Sequence, residues 1–332
     1  MDDYTNKIYN EINNYKNIEV VHDLPDSFHY ITNRYIKNLI LEKFNIGSFD
    51  EMVIKHINAL KSEKNKIEIL SLGSGNGDFE IKTALQAPNC FFTCYELNPY
   101  MINRAYQSAK DYNVEDAFNF VEVDINKVKI DKCFDMVIAN QSLHHFVALE
   151  HIFKEISKCM TTDSIFLVND MIGRNGHLFW DSTLDICNRI WAILPKSLKY
   201  NHQLKKVFDK RIQIDYSAGS FEGVRAQDIL PLLDRVFNFK EFGVFFCLVN
   251  RFIDRDFGHN FDINNEMHKA ILDAIWHIDD FCLKNKILKP VQMFASLVKK
   301  EVSVNDLKFT YFKEPREIYE MKDSSLYDYF NK

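Results

Sequence analysis

The sequence predicts an α/β fold: a doubly wound, mostly parallel sheet, preceded by helices and carrying a helical insertion after the fifth strand. Three observations lead there. From residue 67 short apolar runs alternate with segments of helical periodicity, a Gly-x-Gly-x-Gly loop follows the first run, and the next two runs end on carboxylates, Glu96 and Asp124. Strands alternating with helices at this spacing imply parallel strands joined by crossovers. The ligand crevice of such a sheet lies beyond the carboxyl ends of the strands.

Residues 1–65 read as a helical cap. Phe28, Ile31, Tyr35 and Leu39 recur at helical spacing, and Ser48-Phe49-Asp50-Glu51 has the form of a capping box opening another helix. The main domain is expected over 66–300. Ile67–Leu72 is its first strand, and the helix after the glycine loop carries Ile81 and Leu85. Phe91–Tyr95 is the second strand, with Asn98 and Pro99 suited to the cap and first turn of the next helix. Strands follow over 118–123, 134–139 and 164–169, with a helix over 149–159. Insertions are expected at about 175–225, which is aromatic-rich, and at about 262–285. Between them lie a helix over 226–236 and a strand over 242–251. A last strand over 290–298 precedes a charged tail at 301–332.

Composition narrows the function. The net charge of −6, with no long basic run, argues against a nucleic-acid partner, which would need phosphates neutralised. The start of the chain lacks a basic, apolar leader, and no apolar run reaches the ~20 residues that span a bilayer. A cytoplasmic protein without a membrane partner is the expectation. The seven cysteines are scattered in apolar surroundings and read as free thiols, and no metal site is expected.

The chemistry is read from the strand ends. Glycines at 73, 75 and 77 let the backbone approach a ligand closely, and the helix that follows presents free N–H groups, with Ser74 and Asn76 between them. A dinucleotide loop wants a third glycine where this chain has Asp78. A carboxylate is tolerable beside a ligand that carries cationic groups and no phosphate. Glu96 can accept from both hydroxyls of a ribose. Asp124 can accept from an adenine amino group, with Leu97 and Ile125 enclosing the ring.

These segments, Leu70–Gly77, Tyr95-Glu96-Leu97-Asn98-Pro99, Val123-Asp124-Ile125 and Phe134–Asn140, resemble the class I methyltransferases over about residues 65–170. The resemblance implies a seven-stranded sheet with one antiparallel strand, and S-adenosyl-L-methionine as methyl donor. It also implies cofactor contacts at Gly73, Gly75, Gly77, Glu96, Asp124 and the backbone around Asn140. One departure stands out: the family commonly has an acid two residues before the first glycine, and here it is Ser71.

The fourth strand runs on into Leu143-His144-His145, similar to the Leu-His-His pattern of small-molecule methyltransferases, and lacks the Asn/Asp-Pro-Pro-aromatic signature of enzymes that methylate planar nitrogens. Either histidine could take a proton from an attacking hydroxyl, His145 being preferred. The alternative is that His144 caps a helix and His145 only lines the cofactor pocket. Asp170, Arg174, His177, Tyr216 and Arg225 are candidate acceptor-binding residues, with Arg251, Arg255 and His259 further along. Arginines there would suit a carboxylate or phosphate on the acceptor. The leading expectation is O-methylation of a small molecule, such as a natural product or sugar-like acceptor. A peptide or protein acceptor and a nicotinamide-dependent oxidoreductase are the alternatives, and a homodimer is possible in each case.

Overall fold

The computed structural model describes residues 3–14, 16, 24–61 and 65–323. Met1, Asp2 and the end of the expected tail lie outside them. A helix α1 (Asp3–Asn14) precedes a helical run made of α2 (Asp26–Ile31), a π turn (Thr32–Ile36) and α3 (Lys37–Phe44). Helix α4 (Phe49–Lys61) opens on the expected box: the Glu51 N–H donates to Ser48 Oγ at 3.2 Å, while the Glu51 carboxylate reaches back to the Gly47 N–H at 2.7 Å.

The sheet then builds outward from its centre. Strand β1 (Ile67–Leu72) is an almost continuous apolar run because helices cover both of its faces. It pairs in parallel with β2 (Cys90–Glu96) and with β4 (Phe134–Asn140), while β3 (Phe118–Glu122) extends the β2 side. Strand β5 (Met160–Met171) follows β4 in parallel, and β6 (Phe237–Phe245) and β7 (Gln292–Lys299) come next in the chain. Strand β7 lies antiparallel between β5 and β6. The seven expected strands are present, and an eighth, β8 (Lys308–Phe309), adds in parallel to the β6 edge, giving the order β8-β6-β7-β5-β4-β1-β2-β3.

Helices α5 (Asp78–Gln86), α6 (Pro99–Asp111), α7 (Leu149–Cys159) and α9 (Ala226–Val236) are crossovers. In α5, Ile81 is buried and Leu85 is solvent-exposed. Helix α8 (Asp181–Ile193) and a two-residue ribbon, Tyr200–Asn201 with Lys206–Val207, occupy the first insertion, and α11 (Glu266–Lys284) the second.

The largest revision concerns the strand expected over 242–251. It runs over 237–245 because α9 passes into it without a loop and Phe246 turns left-handed, with φ 58°. The next three N–H groups, of Cys247, Leu248 and Val249, donate to the buried carboxylate of Asp279 at 2.7–3.0 Å instead of to a neighbouring strand. Arg251 therefore sits on a helical turn, α10 (Asn250–Ile253). A last turn, α12 (Arg316–Tyr319), packs on α9. Among the described residues no helix is long and apolar enough to cross a membrane.

Candidate active site

Two cavities open at the carboxyl end of the sheet. The first, of about 380 Å³, has Gly73, Ser74, Gly75, Asn76, Glu96, Leu97, Asp124, Ile125, Asn140 and His145 in its lining, with Glu11, Asp78, Glu80, Ser142 and Phe221 among the others. Its floor is the turn after β1. Gly73 (φ 67°) is needed for close approach, since a Cβ there would lie 2.8 Å from Ser142 Cβ. Gly75 (φ 56°) would meet nothing within 4 Å, so its backbone faces open space. Gly77 lines no cavity and lets the start of α5 pack against Ala105.

Glu96, at the end of β2, accepts from the N–H groups of Gly75, Leu97 and Asn98 at 2.8–2.9 Å. Burial raises its carboxyl above the usual range, and those three backbone donors oppose the rise. Asp124 takes the Tyr4 hydroxyl on both oxygens, at 2.8 and 2.9 Å, and its backbone neighbour, the Asn126 N–H, on Oδ1. Desolvation works against the charge of Asp124, but the hydrogen bonds of Tyr4, Lys127 and Asn126 outweigh it and lower its pKa. Tyr4 belongs to α1. The same helix bonds through Lys7 and Asn10 to the carbonyls of Ser217 and Gly219, and receives Asn98 Nδ2 at its end. It thus bridges the strand-end loops and the insertion.

Beyond β4, the turn Leu143–His145 sets two imidazoles side by side, their ring centroids 4.3 Å apart. His144 is buried, and its Nδ1 lies 2.6 Å from Asp170 Oδ1. The Asp170 carboxylate also accepts from the N–H groups of Ser142, Leu143 and Met171, which fixes its orientation. Burial disfavours the His144 cation, yet the Asp170 charge and hydrogen bond prevail and raise its pKa. His145 goes the other way: withdrawal from water, then the neighbouring His144, lowers it to about 4, so its ring is a neutral base.

Both histidines face Glu222 of the insertion, His145 Nε2 at 3.5 Å and His144 Nε2 at 3.6 Å, and His177 Nε2 is bonded to the same carboxylate at 2.8 Å. Desolvation of Glu222 is outweighed by His177 and the two other imidazoles, which hold it well below the carboxylate range.

Among the described residues, four buried polar atoms of the first cavity have no hydrogen-bond partner: Ser74 Oγ, Glu80 Oε2, Ser142 Oγ and His145 Nδ1. Buried polar atoms are rarely left unpaired, so this is the lining of a site for a polar ligand. A family model described as a methyltransferase domain matches residues 63–216, which contain the glycine turn, Glu96, Asp124 and both adjacent histidines. Residues 63–216 carry a methyltransferase domain.

Curated relatives agree. The sterol 24-C-methyltransferase of Debaryomyces hansenii is 27% identical over 120 residues, covering 36% of this chain and 32% of that protein. That of Clavispora lusitaniae is 25% identical over 150 residues, or 44% and 37%. The chain thus spans about a third of the length of the curated relatives it matches. Among solved structures, the O-methyltransferase from the trans-AT PKS multienzyme of Brevibacillus brevis, in complex with S-adenosyl-L-homocysteine, is similar at 13% identity and a TM-score of 0.44. It covers 94% of this chain and 91% of that one. The plantazolicin methyltransferase, also with SAH, gives 14% identity, 90% and 95% coverage, and a TM-score of 0.42.

S-adenosylmethionine is the cofactor of this family, and the nicotinamide alternative falls with the identification. The unpaired atoms fit the methyl donor. A carboxylate oxygen suits its ammonium group, and the serine hydroxyls can serve either its donors or its acceptors. Where the resemblance expects an acid, Ser71 Oγ donates to Glu80 Oε1 at 2.5 Å, so the first turn of α5 sets a carboxylate beside that position. Burial raises Glu80 to about 7 while its second oxygen stays unpaired. Asp78, where a dinucleotide loop wants glycine, is turned onto Asn76 Nδ2 at 2.9 Å.

The second cavity of the domain, about 350 Å³, is lined by His177, Tyr216, Glu222, Arg251 and Arg255, together with Asn201, Arg211, Asn250, Asp254 and Asp256. Tyr216 donates to Asp256 at 3.0 Å, and the Arg251 guanidinium lies over Phe179. Three expected acceptor residues are not in it. Asp170 is buried behind His144, Arg174 bonds to the Phe179 carbonyl and Asp181, and Arg225 forms a two-pronged pair with Glu150. Their side chains are held by protein partners outside the second cavity. His259 lies against His202 and lines neither cavity.

Glu222 and Glu80 escaped sequence reasoning. Glu80 reads as an ordinary helix acid. Glu222 had one signal, its place between two glycines in Gly219-Ser220-Phe221-Glu222-Gly223.

Proposed function

We propose that the chain transfers the methyl group of S-adenosylmethionine to a hydroxyl oxygen of a small polar molecule bound in the second cavity. The observation that carries this reading is the shared wall. His145 lines the donor cavity, Glu222 lines the second, and the two side chains face each other at 3.5 Å. When bound, the cofactor supplies a methyl group already activated by its sulfonium. What the chain adds is alignment, exclusion of water by α1 and the insertion, and a place for the proton that the acceptor gives up. His145, neutral down to about pH 4, takes that proton, and the Glu222 carboxylate beside it stabilises the resulting imidazolium. His144, clamped by Asp170, positions Glu222.

The second cavity supports a small polar acceptor. Asn201 Nδ2, Asn250 Oδ1 and Arg251 Nε are buried there without partners, and arginines face aspartates across it. Burial raises Asp254 to about 6, so part of that acidic charge is readily neutralised. Met171, Phe179, Phe208, Ile212, Ile214 and Phe257 also line the cavity, so the acceptor would carry an apolar part beside its polar groups.

The test begins with S-adenosylhomocysteine. At a hundredfold excess over its dissociation constant it should stabilise the protein by about 2.7 kcal/mol, and NADH should not. A labelled-methyl transfer screen over hydroxyl, amine, carboxylate and thiol acceptors should then yield a base-stable ether. Products methylated at nitrogen or carbon, or no stabilisation by S-adenosylhomocysteine, overturn the proposal.

A further inference from the structure

We infer that His144, His177 and Glu222 form a binding site for one divalent first-row transition-metal ion of the zinc, cobalt or manganese class. One ligand atom from each residue lies within 4.8 Å of the other two. The Glu222 Oε1 atom is 2.8 Å from His177 Nε2 and 3.6 Å from His144 Nε2. An ion bound at ~2.0–2.2 Å to nitrogen and carboxylate oxygen holds its donors roughly 3–3.5 Å apart, so small side-chain shifts would bring these atoms, now 2.8 and 3.6 Å apart in the two pairs with Glu222, to that spacing. Two neutral imidazoles and one carboxylate are a donor set for such ions, and one that magnesium or calcium does not favour.

The surroundings are those of ligands held in advance. The Asp170 carboxylate, satisfied by three backbone N–H groups, fixes the Nδ1 proton of His144, which leaves the Nε2 lone pair directed to the triad. His177 reaches Glu222 only through unusual backbone. It adopts φ 53°, rare for a non-glycine residue, directly after Gly176 at φ 65°. The Gly176 N–H is tied to the Gly223 carbonyl at 2.8 Å. A Cβ on Gly223 would sit 2.9 Å from the His177 ring, so only glycine next to Glu222 lets the imidazole lie there. Three separate segments are thus pinned at one point, and strain of this kind collects at functional sites.

His177 and Glu222 line the second cavity, so the open side of the triad faces the acceptor space. This role, drawing an acceptor oxygen toward the cation while His145 takes its proton, rests on the reading above; the binding itself does not. The competing account is a metal-free network in which the imidazoles and Glu222 share protons.

The experiment uses the full chain carrying Cys133→Ser, which removes the exposed thiol as a competing ligand. After chelation and dialysis, Zn²⁺ and Co²⁺ are titrated by calorimetry and visible absorption, with S-adenosylhomocysteine stabilisation measured in parallel as a fold check. The expected result is one Co²⁺ per chain with a nitrogen and oxygen spectrum. Affinity should fall at least about tenfold in Glu222→Gln and in His177→Ala, and roughly tenfold in Asp170→Asn. All variants should keep their response to S-adenosylhomocysteine. Absence of stoichiometric binding in a protein that still answers to S-adenosylhomocysteine overturns the metal site and leaves the transferase reading standing. Binding that the three substitutions do not weaken also overturns it. A metal that binds as expected in a protein that methylates no hydroxyl would instead sink the proposed reaction alone.

Discussion

The donor cavity draws most of its lining from residues at or just after the ends of β1, β2, β3 and β4, with additions from helices and from Phe221, whereas the second cavity is assembled from the stretch between Met171 and Phe257. Strand ends are fixed in space by the sheet's register, so their chemistry appears in the sequence as short motifs at set offsets. Loops are fixed by what they happen to meet. The donor side presents glycine backbone and a few carboxylates; the second side presents arginines, aspartates and stranded amide groups. Specific acceptors are read by groups of the latter kind, and a common donor by the former.

The strongest test of this division is at the shared wall. Glu222→Gln and His145→Gln should each lower kcat by about 10²-fold or more while S-adenosylhomocysteine affinity changes little. Steady-state kinetics beside calorimetry would show it, and unimpaired turnover in both variants would mean that the reaction is not at this junction.

Next in size is Glu80→Gln, which belongs to the donor side alone. If the unpaired Glu80 oxygen receives the cofactor's ammonium, losing its charge should weaken S-adenosylhomocysteine about tenfold, as for a hydrogen bond to a charged group. The ligand-free protein should respond in the opposite sense. The Glu80 carboxyl rises from 4.5 to about 7 on folding, so its contribution favours the fold below pH 4.5 and is lost as pH climbs through 7. Thermal melts at pH 8 should therefore show the variant more stable than the parent. A drop in Tm would make Glu80 a structural acid only.

On the acceptor side, Arg251→Lys keeps the charge but loses the buried, unpaired Nε. The KM of the acceptor should rise roughly 5–10-fold, with kcat and S-adenosylhomocysteine binding much less affected. A rise in the dissociation constant of S-adenosylhomocysteine of the same size would show that the cavities are not separable. The smallest effect is expected at Arg225→Ala. Its pair with Glu150 is partly exposed and lines neither cavity, so stability should fall by only ~0.2–1 kcal/mol and neither KM should move. A changed acceptor KM would return Arg225 to the binding site.

The sequence by itself determined the donor half of this protein. The glycines after β1, Glu96 and Asp124 at the next strand ends, and the histidines after β4 share one feature. Each lies within a few residues of a strand whose apolar run announces it, and parallel strands must deliver their ends to one crevice. Even there Ser71 was ambiguous, because its partner Glu80 comes from the following helix and only packing brings the two together. The strand after α9 was misplaced for a related reason: Asp279, far along the chain, takes the backbone donors that would have prolonged it.

Only the tertiary structure decided the acceptor side. Arg174, Arg225 and Asp170 carry the same chemistry in the sequence as Arg251 and His177, and all five are bonded to protein; what separates them is that folding sets only Arg251, with its Nε unpaired, and His177 on the wall of the second cavity. Glu222 gained its role by folding against three imidazoles from two other segments. A motif records neighbours along the chain. Which charge stays free for a ligand depends on neighbours in space, and that is settled only once the chain has folded.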